Sequence, residues 1–110
     1  MMIANRILKF RRAGEDVDIP IRVFAPEQQD GNWICRYEIE WPHGTWRSAA
    51  GGMDSMQALL LAGQKIGTEV YTSEYHKEGG LMWHAPSQGY GFPVPNNLRD
   101  FLVGDDRTFL

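Results

Sequence analysis

Residues Trp33 to Trp41 alternate without a break. Trp33, Cys35, Tyr37, Ile39 and Trp41 fall on one face, and Ile34, Arg36, Glu38 and Glu40 on the other. A period of two in side-chain direction belongs to a β-strand. One face is wholly apolar and the other mostly charged, so the strand has to sit in a sheet with one side covered and the other wet. Such a strand is expected at the centre of the sheet.

Its neighbours follow the same logic. Residues 6–12 put Leu8 and Phe10 on one face and Ile7, Lys9 and Arg11 on the other, and Ala13-Gly14-Glu15-Asp16 supplies a turn. From Val17 to Phe24, Val17, Ile19, Ile21 and Val23 share a face. Pro20 lacks a ladder donor, which predicts a sheet edge or a bulge there. Pro26 to Asn32 reads as a polar loop with a turn at Asp30-Gly31. Pro42-His43-Gly44 closes a hairpin into Thr45 to Ala50, from which Trp46 is expected to reach an aromatic on the preceding strand.

Gly51-Gly52 ends the strand pattern, and Asp54 or Ser55 offers an N-cap for a long helix running to about Tyr75 and stopped by Gly79-Gly80. Met56, Leu59, Leu60, Gly63, Ile66, Gly67, Val70 and Tyr71 form its expected apolar stripe. Gly63 and Gly67 each cost the helix up to ~1 kcal/mol of propensity, which close approach to the bulky side chains of the sheet would offset. Leu81 to Ala85 reads as a short strand. Tyr90 to Pro95 carries two prolines and reads as an extended surface strap, and Asn96 or Asn97 caps a last helical turn through Leu98, Phe101 and Leu102. The expected fold is α+β: a four-stranded antiparallel sheet, a long helix on one face, a short strand and a C-terminal strap (ββββαβ), in one domain spanning residues 1–110.

Composition narrows the function classes. The chain has 110 residues, 43% of them hydrophobic, enough for one core. Ala58 to Gly63 is the longest strongly apolar run and is far short of the ~20 residues that span a bilayer. Neither a membrane span nor a secretory leader is expected. Cys35 is the only cysteine, which excludes an internal disulfide or a cysteine zinc site and fits a reducing cytoplasm. A net charge of −3 disfavours nucleic acid, and the one basic cluster, Arg6, Lys9, Arg11 and Arg12, reads as the solvated face of a strand.

No catalytic or cofactor signature is present, whether P-loop, dinucleotide fingerprint, nucleophile elbow or His-Glu-x-x-His. His43, His76 and His84 are scattered, so neither a metal nor a cofactor is expected. Glu38 and Glu40 share a strand face and read as solvated. Ala49-Ala50-Gly51-Gly52 before the helix reads as a connector rather than an anion loop, because Asp54 at the cap would repel an anion. Trp83, Tyr90 and Phe92 stand in a glycine- and proline-rich setting. They serve as core cover or, if displayed, as the candidate interaction surface.

The stretch Asp-Ser-Met-Gln-Ala-Leu-Leu-Leu-Ala within Met53 to Thr72, and Tyr-Gly-Phe-Pro-Val-Pro with a final Gly-Asp-Asp within Tyr90 to Asp106, resemble a family of small uncharacterised bacterial proteins. The resemblance covers the chain from about the third strand onward. It implies no activity and carries over no catalytic residue. The sequence thus points to a non-catalytic domain that binds an unidentified protein partner or itself. The alternative is a small-ligand enzyme or carrier with a pocket between helix and sheet, which requires a cleft of several hundred Å³ with convergent polar groups.

Overall fold

Two hairpins with the same kind of turn start the sheet. The structure, a computed structural model, describes residues 1–110. Strands β1 (Met2–Arg12) and β2 (Glu15–Phe24) are joined by Ala13 and Gly14, with φ of 54° and 80°. A short β3 (Glu27–Gln29) and β4 (Asn32–Trp41) are joined by Asp30 and Gly31, with φ of 53° and 84°. Positive φ at both loop positions marks a type I′ turn, which matches the twist of paired strands and needs residues that tolerate the left-handed region. β5 (Gly44–Gly52) returns along β4, and β6 (Leu81–Met82) pairs with Lys9 and Phe10 of β1.

The sheet is antiparallel throughout and holds six strands where four were expected ahead of the helix and one short one after it. β4 is central, with β5 on one edge and both β2 and β3 on the other, while β1 and then β6 lie outside β2. β3 falls in the segment expected as loop. β2 pairs with β4 from Ile21↔Ile39 to Val23↔Tyr37, and β3 resumes at Glu27↔Ile34 one residue out of step. Phe24 to Pro26 absorb the extra residue as a bulge, and the Phe24 carbonyl accepts the Cys35 thiol at 3.3 Å. Pro20 pairs with Ile7 of β1, and the ladder to β4 begins at the next residue. β2 is thus internal to the sheet after Pro20 and an edge before it.

One sheet face carries the core: Leu8, Phe10, Ile19, Ile21, Cys35, Tyr37, Ile39 and Trp41 are all buried. Helix α1 (Ser55–Tyr71) covers the β4–β5 half of that face. Its buried side is Ala58, Ala62, Ile66, Gly67, Val70 and Tyr71. The expected stripe is rotated at its start, for Met56 and Leu60 are 64% and 62% exposed. Two alanines let the helix lie close to the sheet, where larger residues would hold it off.

The helix also ends early. Ser73 Oγ accepts the His76 amide and caps a separate five-residue α2 (Glu74–Glu78), which Gly79 closes with φ of 89°. After β6 the strap at Tyr90–Pro95 covers the β1–β2 half of the same face, a 3-10 turn spans Asn96–Phe101, and α3 (Asp105–Phe109) follows. The opposite face is water-facing and laced with ion pairs, Lys9–Asp18, Arg11–Asp16, Arg22–Glu40 and Arg47–Glu38 among them. No helix is long and apolar enough to cross a membrane.

Candidate functional site

Trp83, Tyr90 and Phe92 are brought together, but as packing. Tyr90 and Phe92 are 4% and 9% exposed, and Trp83 is half-buried. The layer between the last two rings is Arg6, its guanidinium 3.8 Å from the Trp83 ring and 4.7 Å from that of Phe92. The same guanidinium donates to the carbonyls of Tyr90 and Gly91 at 3.1 and 3.0 Å. Burial lowers its pKa against the pull of Asp106. Tyr90 and Phe92 belong to the core cluster, and Trp83 packs against it with part of its surface open.

What fixes the strap is Asp106, a carboxylate only 3% exposed. It accepts the backbone amides of Tyr90 and Gly91 at 2.7 and 2.8 Å, and the Tyr71 hydroxyl donates to it. The Tyr90 hydroxyl pairs in turn with His76 Nδ1. Burial, reinforced by the nearby carboxylate, pushes both tyrosine hydroxyls above their ordinary pKa, and burial pushes His76 below its own. In sequence Asp105-Asp106 reads only as the acidic pair that follows the last helical turn. The one signal available was the Gly-Asp-Asp run after the prolines.

The other sequence candidates disperse. Within the basic cluster, Arg6 and Arg12 lie on the face of Leu8 and Phe10, Lys9 and Arg11 on the opposite one, and three of the four bind carboxylates, Asp18, Asp16 and Glu78. Glu38 and Glu40 share Arg22, whose hydrogen bond holds the Glu40 carboxyl below the usual range. Burial pushes the Cys35 thiol up. At the start of α1, Asp54 accepts the Gln57 amide at 2.7 Å and Gln57 Oε1 accepts the Met53 amide at 2.6 Å, so side chains occupy that end. No three His, Cys, Asp or Glu side chains converge to hold a metal ion.

A cleft of about 500 Å³ opens instead where the β4–β5 hairpin meets the α1–α2 junction. The sequence gives Trp46 no visible role there. Its partner across the ladder is Ile39 rather than an aromatic, and it is 46% exposed because α1 stops at Tyr71 and leaves this end of the sheet uncovered. Tyr75 stacks on Trp41, rings 5.0 Å apart and 8° from parallel, and its edge meets Phe10. The His43 ring is parallel to that of Tyr75 within 3°, centroids 5.9 Å apart, and its Nδ1 is joined to the Tyr75 hydroxyl at 2.8 Å. Glu69, Glu74, Glu78 and Arg12 supply charge around these rings. Arg12 is paired with Glu78 at 2.9 Å, whereas half-buried Glu69 has no cationic partner.

The family described as Domain of unknown function (DUF6968) matches residues 4–94. That range takes in the first hairpin, which the resemblance seen in the sequence left out, and stops short of Asp106. No curated protein and no solved structure matches the chain significantly.

Proposed function

The chain belongs to the DUF6968 family of domains of unknown function, and from that premise we propose that it is a non-catalytic binding domain acting through the cleft between the β4–β5 hairpin and the α1–α2 junction. The observation that supports this reading is the pairing, in one concave space, of a half-exposed tryptophan with a half-buried carboxylate, Glu69, that forms no ion pair. Aromatic surface left open beside convergent polar groups is the usual composition of a binding site. The buried titratable cluster and the paired strand carboxylates have structural employment: Asp106, Tyr71, Tyr90 and His76 hold the strap, and Glu38 and Glu40 hold Arg22. The occupant is a protein partner or a small ligand, in a cytoplasmic setting.

Affinity capture from a native lysate, with bound proteins and small molecules identified by mass spectrometry, tests the cleft. Species retained by the wild type and lost from Trp46→Ala support it. Capture that survives Trp46→Ala and is lost from Leu60→Glu would move the site to the outer face of α1. That outcome is the second reading, self-association or partner binding through Met53, Met56 and Leu60, which are 86%, 64% and 62% exposed at the start of the helix. Sedimentation velocity of Leu60→Glu against wild type checks self-association directly.

A further inference from the structure

We infer that the cleft takes an organic cation, an alkylated ammonium or a guanidinium group. The inference rests on the proposed binding role of the cleft and goes on to name its ligand class. Three features of the cleft share one sign. Its lining carries three carboxylates, Glu69, Glu74 and Glu78, against one guanidinium, Arg12. Arg12 is committed to Glu78 at 2.9 Å and lies 4.9 Å from the Phe10 ring, while the partner of Glu74 is Lys77 at 3.4 Å, which stands outside the lining. Glu69 therefore stands half-buried without an ion-pair partner, where a positive ligand group would replace lost hydration.

The second feature is the end of α1. Thr72 and Ser73, just past its last residue, line the cleft, the last turn of α1 has no basic residue to offset its dipole, and the opposing start of the short α2 carries Glu74. The third is the aromatic wall. Trp46 is 46% exposed, and the Tyr75 and His43 rings continue the wall across the cleft. An aromatic face attracts a cation through its quadrupole, most strongly when the cation is weakly hydrated, as alkylated ammonium and guanidinium groups are. An anion would meet repulsion from all three features. A neutral sugar would use the rings but would leave Glu69 uncompensated.

Such a cation comes either from a free alkylated ammonium compound or from the Lys or Arg side chain of a partner. The test is a titration of the full-length 15N-labelled protein at constant ionic strength, following the Trp46 indole N–H. The probes are choline chloride, its neutral isostere 3,3-dimethylbutanol, methyl glucoside, and the peptides acetyl-Gly-Lys-Gly-amide and acetyl-Gly-Arg-Gly-amide. Choline or a peptide is expected to shift Trp46 saturably, with the neutral isostere weaker by about tenfold or more. Glu69→Gln, with native dispersion in its spectrum, is expected to weaken the cation by about tenfold and leave the isostere unchanged. Choline binding better than the peptides identifies a free alkylated ammonium compound as the source, and the reverse identifies a partner's side chain. Equal binding of choline and its isostere, or preference for the glucoside, overturns the cation while leaving the cleft as a binding site. Shifts confined to residues outside the cleft, or none with any probe, overturn both.

Discussion

Gly67 is where α1 and the strap meet backbone to backbone. A Cβ at this position would overlap the Pro93 carbonyl oxygen, whereas at Gly63 it would make ordinary contact with the Pro93 ring at 3.7 Å. The close approach that offsets the propensity cost of these glycines is thus to the strap and not to the aromatic side chains of the sheet. Gly67→Ala gains up to ~1 kcal/mol of helix propensity but forces a rigid carbonyl to move, at ~1–3 kcal/mol. Net destabilisation in urea melts is expected, and a gain in stability would show that the strap yields. Tyr37 is a second probe at this scale. Its ring is 1% exposed and its hydroxyl has no hydrogen-bond partner in the protein. Tyr37→Phe is expected to hold or raise the stability, by up to ~1–3 kcal/mol for an orphaned polar group, and Tyr37→Asp to unfold the domain. Glu38→Ala, on the wet face, is expected to melt close to wild type. If Tyr37→Phe is destabilising, an enclosed water is serving the hydroxyl.

Among the elements, the strap depends most on a single residue. Asp106→Ala deprives three donors of their acceptor, and at ~1–3 kcal/mol for each orphaned donor the loss is several kcal/mol. Hydrogen exchange should show the Tyr90 and Gly91 amides opening while β4 and β5 stay protected; uniform opening would mean that the strap and sheet are one cooperative unit. Phe92→Ala is expected to cost ~3–5 kcal/mol, as deletion of a core ring does, rather than to weaken association alone. The link from Tyr90 to His76 makes this element pH-sensitive. Because burial lowers the His76 pKa, the folded protein keeps the ring neutral at pH values where the unfolded chain protonates it. That contribution is complete above about pH 6.5 and is lost as pH falls from there toward the folded-state pKa. The melting temperature should decline between pH 7.5 and 5.5 and do so less in His76→Asn; identical slopes would remove His76 as the cause.

How much of this was legible follows from which interactions carry a period. β1, β2 and β4 announce themselves by alternation and β5 by the Pro42-His43-Gly44 turn; the inward residues are those expected, with Val23 and Trp33 partly buried and Val17 45% exposed near the hairpin tip. β3 has no apolar residue and exists only because β4 offers it a ladder, so Glu27-Gln28-Gln29 reads as loop. The break between α1 and α2 is made by Ser73 capping, with neither Gly nor Pro to mark it. The candidate cleft is a product of that break and was invisible for the same reason. Asp106 is missed because an acidic residue just past a helical turn reads as solvated, and nothing local shows that Tyr71, 35 positions away, will meet it.

For the whole molecule, the two sheet faces divide the work of stability. Closure comes from one core in which α1 and the strap share a single sheet face, and the ion pairs of the other face lie in water, where salt screens them. Raising sodium chloride from 0.1 to 1 M, a screening length shrinking from ~10 to ~3 Å, is expected to leave the melting temperature nearly unchanged. A steep fall would make the ion-pair ladder structural. The order of the chain gives the strap a further meaning in time. The sheet is complete at Met82, but the anchor that seals the strap over β1 and β2 is residue 106. At ~5–20 residues per second, a ribosome needs roughly one to five seconds to add the intervening chain. Until then the β1–β2 part of the face lacks its cover, and the unfinished chain is expected to be more open to chaperones and to aggregation than the finished one.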